Sequence, residues 1–220
     1  MGKMLSVAWT RMNDPVQGKY SWLVALAGGY ALIVATVWAQ GLALQLLLPL
    51  DIAFFLTAAV LTLRSSDFEL PRLTLTAVIS GIGLVIAGIV LLAGLRLGTL
   101  HSLFGKQTSW MYGAVYFVWA IAQQWIQQSL FFVRLERVLP KGADSFVVAA
   151  LFGLAHLPNP VLAPVTFVGG WILSEVFRRY RHVVPLGIAH ALVGLAIGFT
   201  VPDHINHQME VGTGYLDWRG

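Results

Sequence analysis

Four glutamines, Gln123, Gln124, Gln127 and Gln128, stand inside the stretch AQQWIQQSLFFVRLERVLP, residues 122 to 140, whose other residues are largely apolar. Each primary amide carries two N–H donors and a carbonyl acceptor, so such a cluster could orient a substrate through hydrogen bonds. It could not take up a proton to any useful extent at neutral pH. Two histidines, His156 and His190, lie in later apolar stretches, and a neutral imidazole can donate, accept or transfer a proton. Together these residues can supply acid/base groups and hydrogen-bonding groups for a substrate within an apolar environment.

The rest of the sequence describes what must position them. The chain of 220 residues is 57% hydrophobic and only 11% charged, with a mean hydropathy of +0.74. That composition belongs to membrane proteins rather than soluble domains. There is no cysteine, which excludes disulfides, thiolate metal sites and cysteine nucleophiles. No nucleic-acid partner is needed to explain the net charge of +4, because polytopic proteins collect Lys and Arg in their cytoplasmic loops. No cleavable leader is expected, since the first apolar run, from Ser21, is long enough to stay in the bilayer.

Apolar runs predict about seven transmembrane helices, at 21–40, 43–63, 73–95, 109–133, 146–160, 161–177 and 186–201, in a single all-α domain covering 1–220. His156, Pro158, Asn159 and Pro160 predict a tight hairpin between spans five and six, with proline ending the fifth helix. A cytoplasmic N-terminus puts eleven of the fourteen Lys and Arg on that side, Arg134, Arg137, Arg178 and Arg181 among them, and leaves Arg96, Lys106 and Arg219 opposite. This is the positive-inside bias. Residues 1–20 are then a cytoplasmic segment, and 202–220 an interfacial tail on the outer side held by Tyr215 and Trp218.

That topology places the glutamines, His156 and His190 in the inner half of the bilayer and predicts a polar pocket built from spans four to seven. Gln124 and Gln128 share a helix face, as do Gln123 and Gln127, while Gln124 and Gln127 are neighbours at i,i+3. As interhelical glue alone, each polar side chain would contribute about 0.6–2 kcal/mol. Their convergence favours a substrate site, because polar residues within a membrane tend to mark substrate paths. Asp51, beside Pro49 near the outer end of span two, reads as reaching water, and Glu175 as an ion-pair partner of Arg178 or Arg179.

From about Ser109 to Val201 the chain resembles the CPBP family of CAAX prenyl proteases and bacteriocin-processing or self-immunity membrane enzymes. Its motifs are Glu-Glu-x-x-x-Arg-Gly, Phe-x-x-x-His and His-x-x-x-Asn. FGLAH, Phe152 to His156, fits the second, and His190 fits the histidine of the third. In that register Gln123 and Gln124 occupy the glutamate slots, Gln128 the arginine slot, Ser129 the glycine slot and Gly194 the asparagine slot. A register four residues later puts Phe132 in the arginine slot.

The resemblance implies a glutamate that activates water against a peptide carbonyl, with histidine and asparagine assisting. Loss of such a base typically removes a factor of about 10² to 10⁴ in rate. Replacing both signs of charge with Gln leaves a neutral network rather than one unpaired buried charge. The expected protein is therefore a CPBP-like inner-membrane protein of bacterial type, whose pocket takes membrane lipids or a hydrophobic or prenylated substrate. His156 and His190 would be its acid/base groups, Gln123 and Gln124 would complete the catalytic set, and Gln127, Gln128, Phe152 and Asn159 would contact substrate. Two alternatives stand beside it: an endopeptidase using Glu136 or Glu175 as a displaced base, and a non-catalytic binding or immunity-type partner. His156 and His190 could also serve a divalent metal, but zinc and iron sites want three or four ligands. His204 and His207, with Asp203 and Glu210, could complete such a set only if the tail re-entered the membrane. No oligomeric state follows from the sequence.

Overall fold

The computed structural model describes residues 15–63, 72–102 and 109–219, and all regular structure among them is helical. Most of the N-terminal segment, with Lys3 and Arg11, lies outside the described residues, as do Arg64 and Lys106. Seven helices follow the apolar runs: α1 (Pro15–Val37), α2 (Gly41–Leu63), α3 (Leu73–Leu97), α4 (Ser109–Trp125), α5 (Ala143–Leu154), α6 (Leu162–Tyr180) and α7 (Val183–Thr200). Helix α4 continues through a π-helical segment, Ile126–Phe132, and a last turn, Val133–Leu135. The tail forms α8 (Asp203–Asn206), a 3₁₀ turn at His207–Met209 and α9 (Gly212–Leu216).

Among the described residues, α3 and α7 are the two helices long and apolar enough to cross a membrane by length and composition. Much of α3 faces outward: Leu84, Val85 and Ile89 are each about 60% exposed, a surface suited to lipid rather than water. Its other face meets α7, which also packs against α4. Small residues make these contacts close. A Cβ on Gly83 would stand 2.6 Å from the Ala189 Cα, and one on Gly187 would stand 2.7 Å from the Ile121 Cα, as expected where helices associate through backbone proximity.

Helices α5 and α6 pair as a hairpin, and α1 pairs with α2. Helix α5 ends at Leu154, six residues before the expected end of span five, and His156 lies in the turn beyond it. The physical reason is local. Leu157 and Asn159 each precede a proline, which disfavours the helical conformation there, and the Asn159 side chain starts the next helix by accepting the N–H groups of Val161 and Leu162 at 3.0 and 2.9 Å. At 12 residues α5 is about 18 Å long, well short of a bilayer's hydrocarbon thickness.

Arg178 and Arg181, at the C-terminal end of α6, meet acidic partners. There Arg178 forms a fork on Asp144, with Nη1 and Nη2 donating at 2.8 and 2.6 Å, and Arg181 grips Glu136 at 2.6 and 2.7 Å. Phe132, fully buried, sits beneath both guanidinium groups and meets Phe177 edge-on at 5.7 Å. At the other end the tail folds back onto the bundle. Asn159 Nδ2 donates to the carbonyls of Asn206 and Glu210 at 2.9 and 3.0 Å, and Gly212 N donates to Leu157 O at 2.8 Å. Gly212 has φ +55, and a Cβ there would collide with Val37 O, so glycine permits both the turn and the approach to α1.

Candidate functional site

The glutamines form a directed chain of amides. Gln128 Nε2 donates to Gln124 Oε1 at 3.2 Å, Gln124 Nε2 donates to Gln127 Oε1 at 2.9 Å, and Gln127 Nε2 donates to Gly170 O on α6 at 3.2 Å. Gln124 Nε2 also faces His190 Nδ1 at 3.3 Å. Gln124 and Gln128 are fully buried and Gln127 nearly so. Three of these links begin or end in the π-helical segment, whose wider turn places Gln127, Gln128 and Ser129 in consecutive buried positions; π-segments are frequent at functional sites. The network thereby ties α4 to α6 and α7 with no ionised group.

Both imidazoles pack against Phe152, whose ring lies 4.8 Å from that of His156 and 5.7 Å from that of His190, edge to face in both cases. Their tautomers follow from their partners. His156 Nδ1 lies 2.7 Å from Phe152 O, which can only accept, so Nδ1 carries the proton and Nε2 offers a lone pair. His190 Nδ1 faces the Gln124 amide nitrogen, which can only donate, so its proton is on Nε2. One ring therefore presents an acceptor and the other a donor.

A cavity of about 320 Å³ opens beside this cluster, within the size range of small-molecule sites. Gln123, Gln127, Phe152 and His156 line it; Gln124, Gln128 and His190 stand behind its wall. Its composition differs from the expected pocket of spans four to seven. Further residues of α4 and α5 line it, but the walls opposite come from α1 and α2, with Val211 of the tail, and α6 and α7 contribute none of the lining residues. Asn159 is fully buried but does not line the cavity, because its amide caps α6 and holds the tail.

Asp51 is a correction of another kind. It lies at the middle of α2 and is only 7% exposed, lining the cavity rather than reaching water. Its place along the apolar run suggests the outer end, whereas α1, α4 and α5 border the cavity on that face of α2. Tyr116 was likewise invisible: its hydroxyl fills the space into which a side chain at Gly194 would project. The slot that holds asparagine in the CPBP motif is thus occupied by a tyrosine from α4.

The other acidic candidates are elsewhere. Glu136 and Glu175 pair with Arg181 and Arg178 at the basic end, and neither lines the cavity. His207 donates from Nδ1 to Tyr215 O at 2.7 Å and stacks on Tyr215 and Trp218 at 3.9 and 4.6 Å. Asp203 meets His101 at 3.2 Å. Among the described residues, no group of three or more His, Cys, Asp or Glu is placed to hold a metal ion.

An all-helical bundle with lipid-suited surfaces and a buried Gln-His cluster beside an apolar cavity defines the class, an integral membrane protein resembling the intramembrane CAAX proteases. Residues 105–196, somewhat under half of the chain, match the family model described as type II CAAX prenyl endopeptidase Rce1-like, so this part of the chain is similar to that family. No curated protein and no solved structure matches the chain.

Proposed function

We propose that the cavity binds the apolar chain of a membrane-embedded substrate, a lipid, a prenyl group or a hydrophobic peptide, and that glutamate-dependent proteolysis has been replaced. The observation that carries this reading is the largely apolar cavity with His156, Gln123 and Gln127 at its edge and no glutamate in its lining. A chain of amides fixes geometry without titrating, so Gln124, Gln127 and Gln128 act as scaffold and His156 is the candidate proton acceptor. His190 acts through Gln124 and Phe152. The protein sits in a membrane with seven helices, its basic end in the cytoplasm and its C-terminal tail outside, as in a bacterial inner membrane.

The test compares membranes from cells carrying the intact protein or its His156→Ala variant at matched abundance, reading lipids and new peptide termini by mass spectrometry. A lipid species changed by the intact protein and restored by the variant supports altered chemistry. A peptide product lost with His156 would overturn the replacement of proteolysis. Identical membranes, in a host shown to contain a molecule that copurifies with the protein, would make it a binding partner rather than an enzyme.

A further inference from the structure

The cavity contains one carboxylate that its CAAX-protease-like architecture does not account for. Asp51 Oδ1 is buried with no hydrogen-bond partner among the described residues, and so is the Thr36 hydroxyl on α1; both residues line the cavity. No Lys or Arg is among the lining residues. A carboxylate placed in apolar surroundings without a donor or counter-charge is costly, and an ionisable residue at membrane depth calls for a partner.

Beside the amides of Gln123 and Gln127 and the hydroxyl of Thr36, two further polar groups of the lining bear on which partner fits. Tyr30 uses its hydroxyl proton on Leu151 O at 2.9 Å, leaving only lone pairs. His156 uses its Nδ1 proton on Phe152 O, leaving Nε2 as an acceptor. Asp51, Tyr30 and His156 therefore each offer acceptors to the same cavity, and a primary ammonium brings three N–H donors and a positive charge. The remaining surface is dominated by apolar side chains such as Ile33, Ile52 and Phe55, and the volume lies at the small end for ligand sites.

We infer that the cavity is a site for a single-chain amphiphile with a primary ammonium head, whose charge is met by Asp51 and whose chain lies along α1, α2 and α5. This rests on the proposed binding of a membrane-embedded apolar chain and specifies the head group that the site selects. Asp51 supplies selectivity through charge, and the apolar wall supplies affinity without regard to the head.

The test uses the full chain in lipid nanodiscs with three photoactivatable probes of equal chain length, a primary alkylamine, an alcohol and a carboxylic acid. Cross-links are mapped by peptide mass spectrometry. The amine is expected to label cavity residues such as Phe55 and Trp119 roughly tenfold more than the alcohol, the lower end of coupling for close charge pairs, with the acid weakest. Asp51→Asn is expected to bring amine and alcohol within about twofold of each other while alcohol labelling persists, the loss of a close charge pair. Amine and alcohol labelling equally in the unaltered protein would overturn the inference without needing any variant, and would leave chain binding intact. An amine preference that survives Asp51→Asn in a protein that still binds the alcohol would also overturn it. Absence of cavity labelling by all three probes would remove chain binding itself.

Discussion

Gln124 holds more of the site together than any other single side chain, since it donates to Gln127, faces His190 and accepts from Gln128. Gln124→Leu leaves all three of those groups short of a partner in a dry interior, at about 1–3 kcal/mol for each buried group left unmade. The expected result is a clear fall in the thermal midpoint of the detergent-solubilised protein, larger than that for Gln123→Leu, whose side chain is only half-buried. Equal falls would deny Gln124 its central place. At the basic end, Asp144 is held below the ordinary carboxylate range by the hydrogen bonds from Arg178, with backbone N–H groups of Ser145 and Gly142 acting in the same direction against its burial. Its folded pKa is depressed, so its contribution is complete above the unfolded value of about 3.9 and disappears as pH falls through the lower folded value. Thermal melts from neutral to acid pH should therefore show intact protein and Asp144→Asn converging as the carboxyl protonates, with intact protein the more stable above that range.

At the scale of helices, the close crossings of α7 make a sharper prediction than its hydrophobicity does. Gly187→Val places atoms against the backbone of Ile121, and Gly83→Val places them against that of Ala189, so either helix pair must separate. Overpacking of this kind costs about 1–3 kcal/mol. Gly88 and Gly113 have open space at the Cβ position, and alanine at either should leave the melt nearly unchanged. The π-helical segment belongs to this scale too. Deleting Ser129 would tighten the wide turn and rotate the residues that follow it relative to the glutamines, so the buried Phe132 is expected to lose its place beneath Arg178 and Arg181, seen as a lower thermal midpoint.

For the whole molecule, the decisive feature is the tail. Val211 lines the cavity, and the contacts of Gly212 with Leu157 and Val37 hold it there. Gly212→Val cannot keep φ +55 or the approach to Val37 without strain, so the cavity should open at that end. A cysteine placed at Ala155, in this chain without native thiols, should then react faster with a soluble maleimide than it does with Gly212 present. An unchanged rate would mean the tail does not close the cavity. Cysteines at Arg137 and at Asp217 should react from opposite faces of intact cells if the positive-inside topology holds; labelling from the same face would reverse it.

The helices were legible in the sequence because their apolar runs are long and the prolines that end them are few. The amide cluster was legible because polar side chains at i, i+3 and i+4 within an apolar run stand together on any helix. The FGLAH stretch and His190 could be recognised as motifs for the same local reason. Early termination of α5 depended on how Asn159 divides its amide between two helix-starting N–H groups and the tail. Only the tertiary structure decided which faces enclose space. Asp51 and Tyr116 entered the site because distant helices happen to cover them, and Val211 entered because a positive-φ glycine turns the tail back toward α1. Spacing along a chain determines which side chains share a face, whereas enclosure depends on the packing of separate elements, and no local pattern encodes which element will arrive opposite.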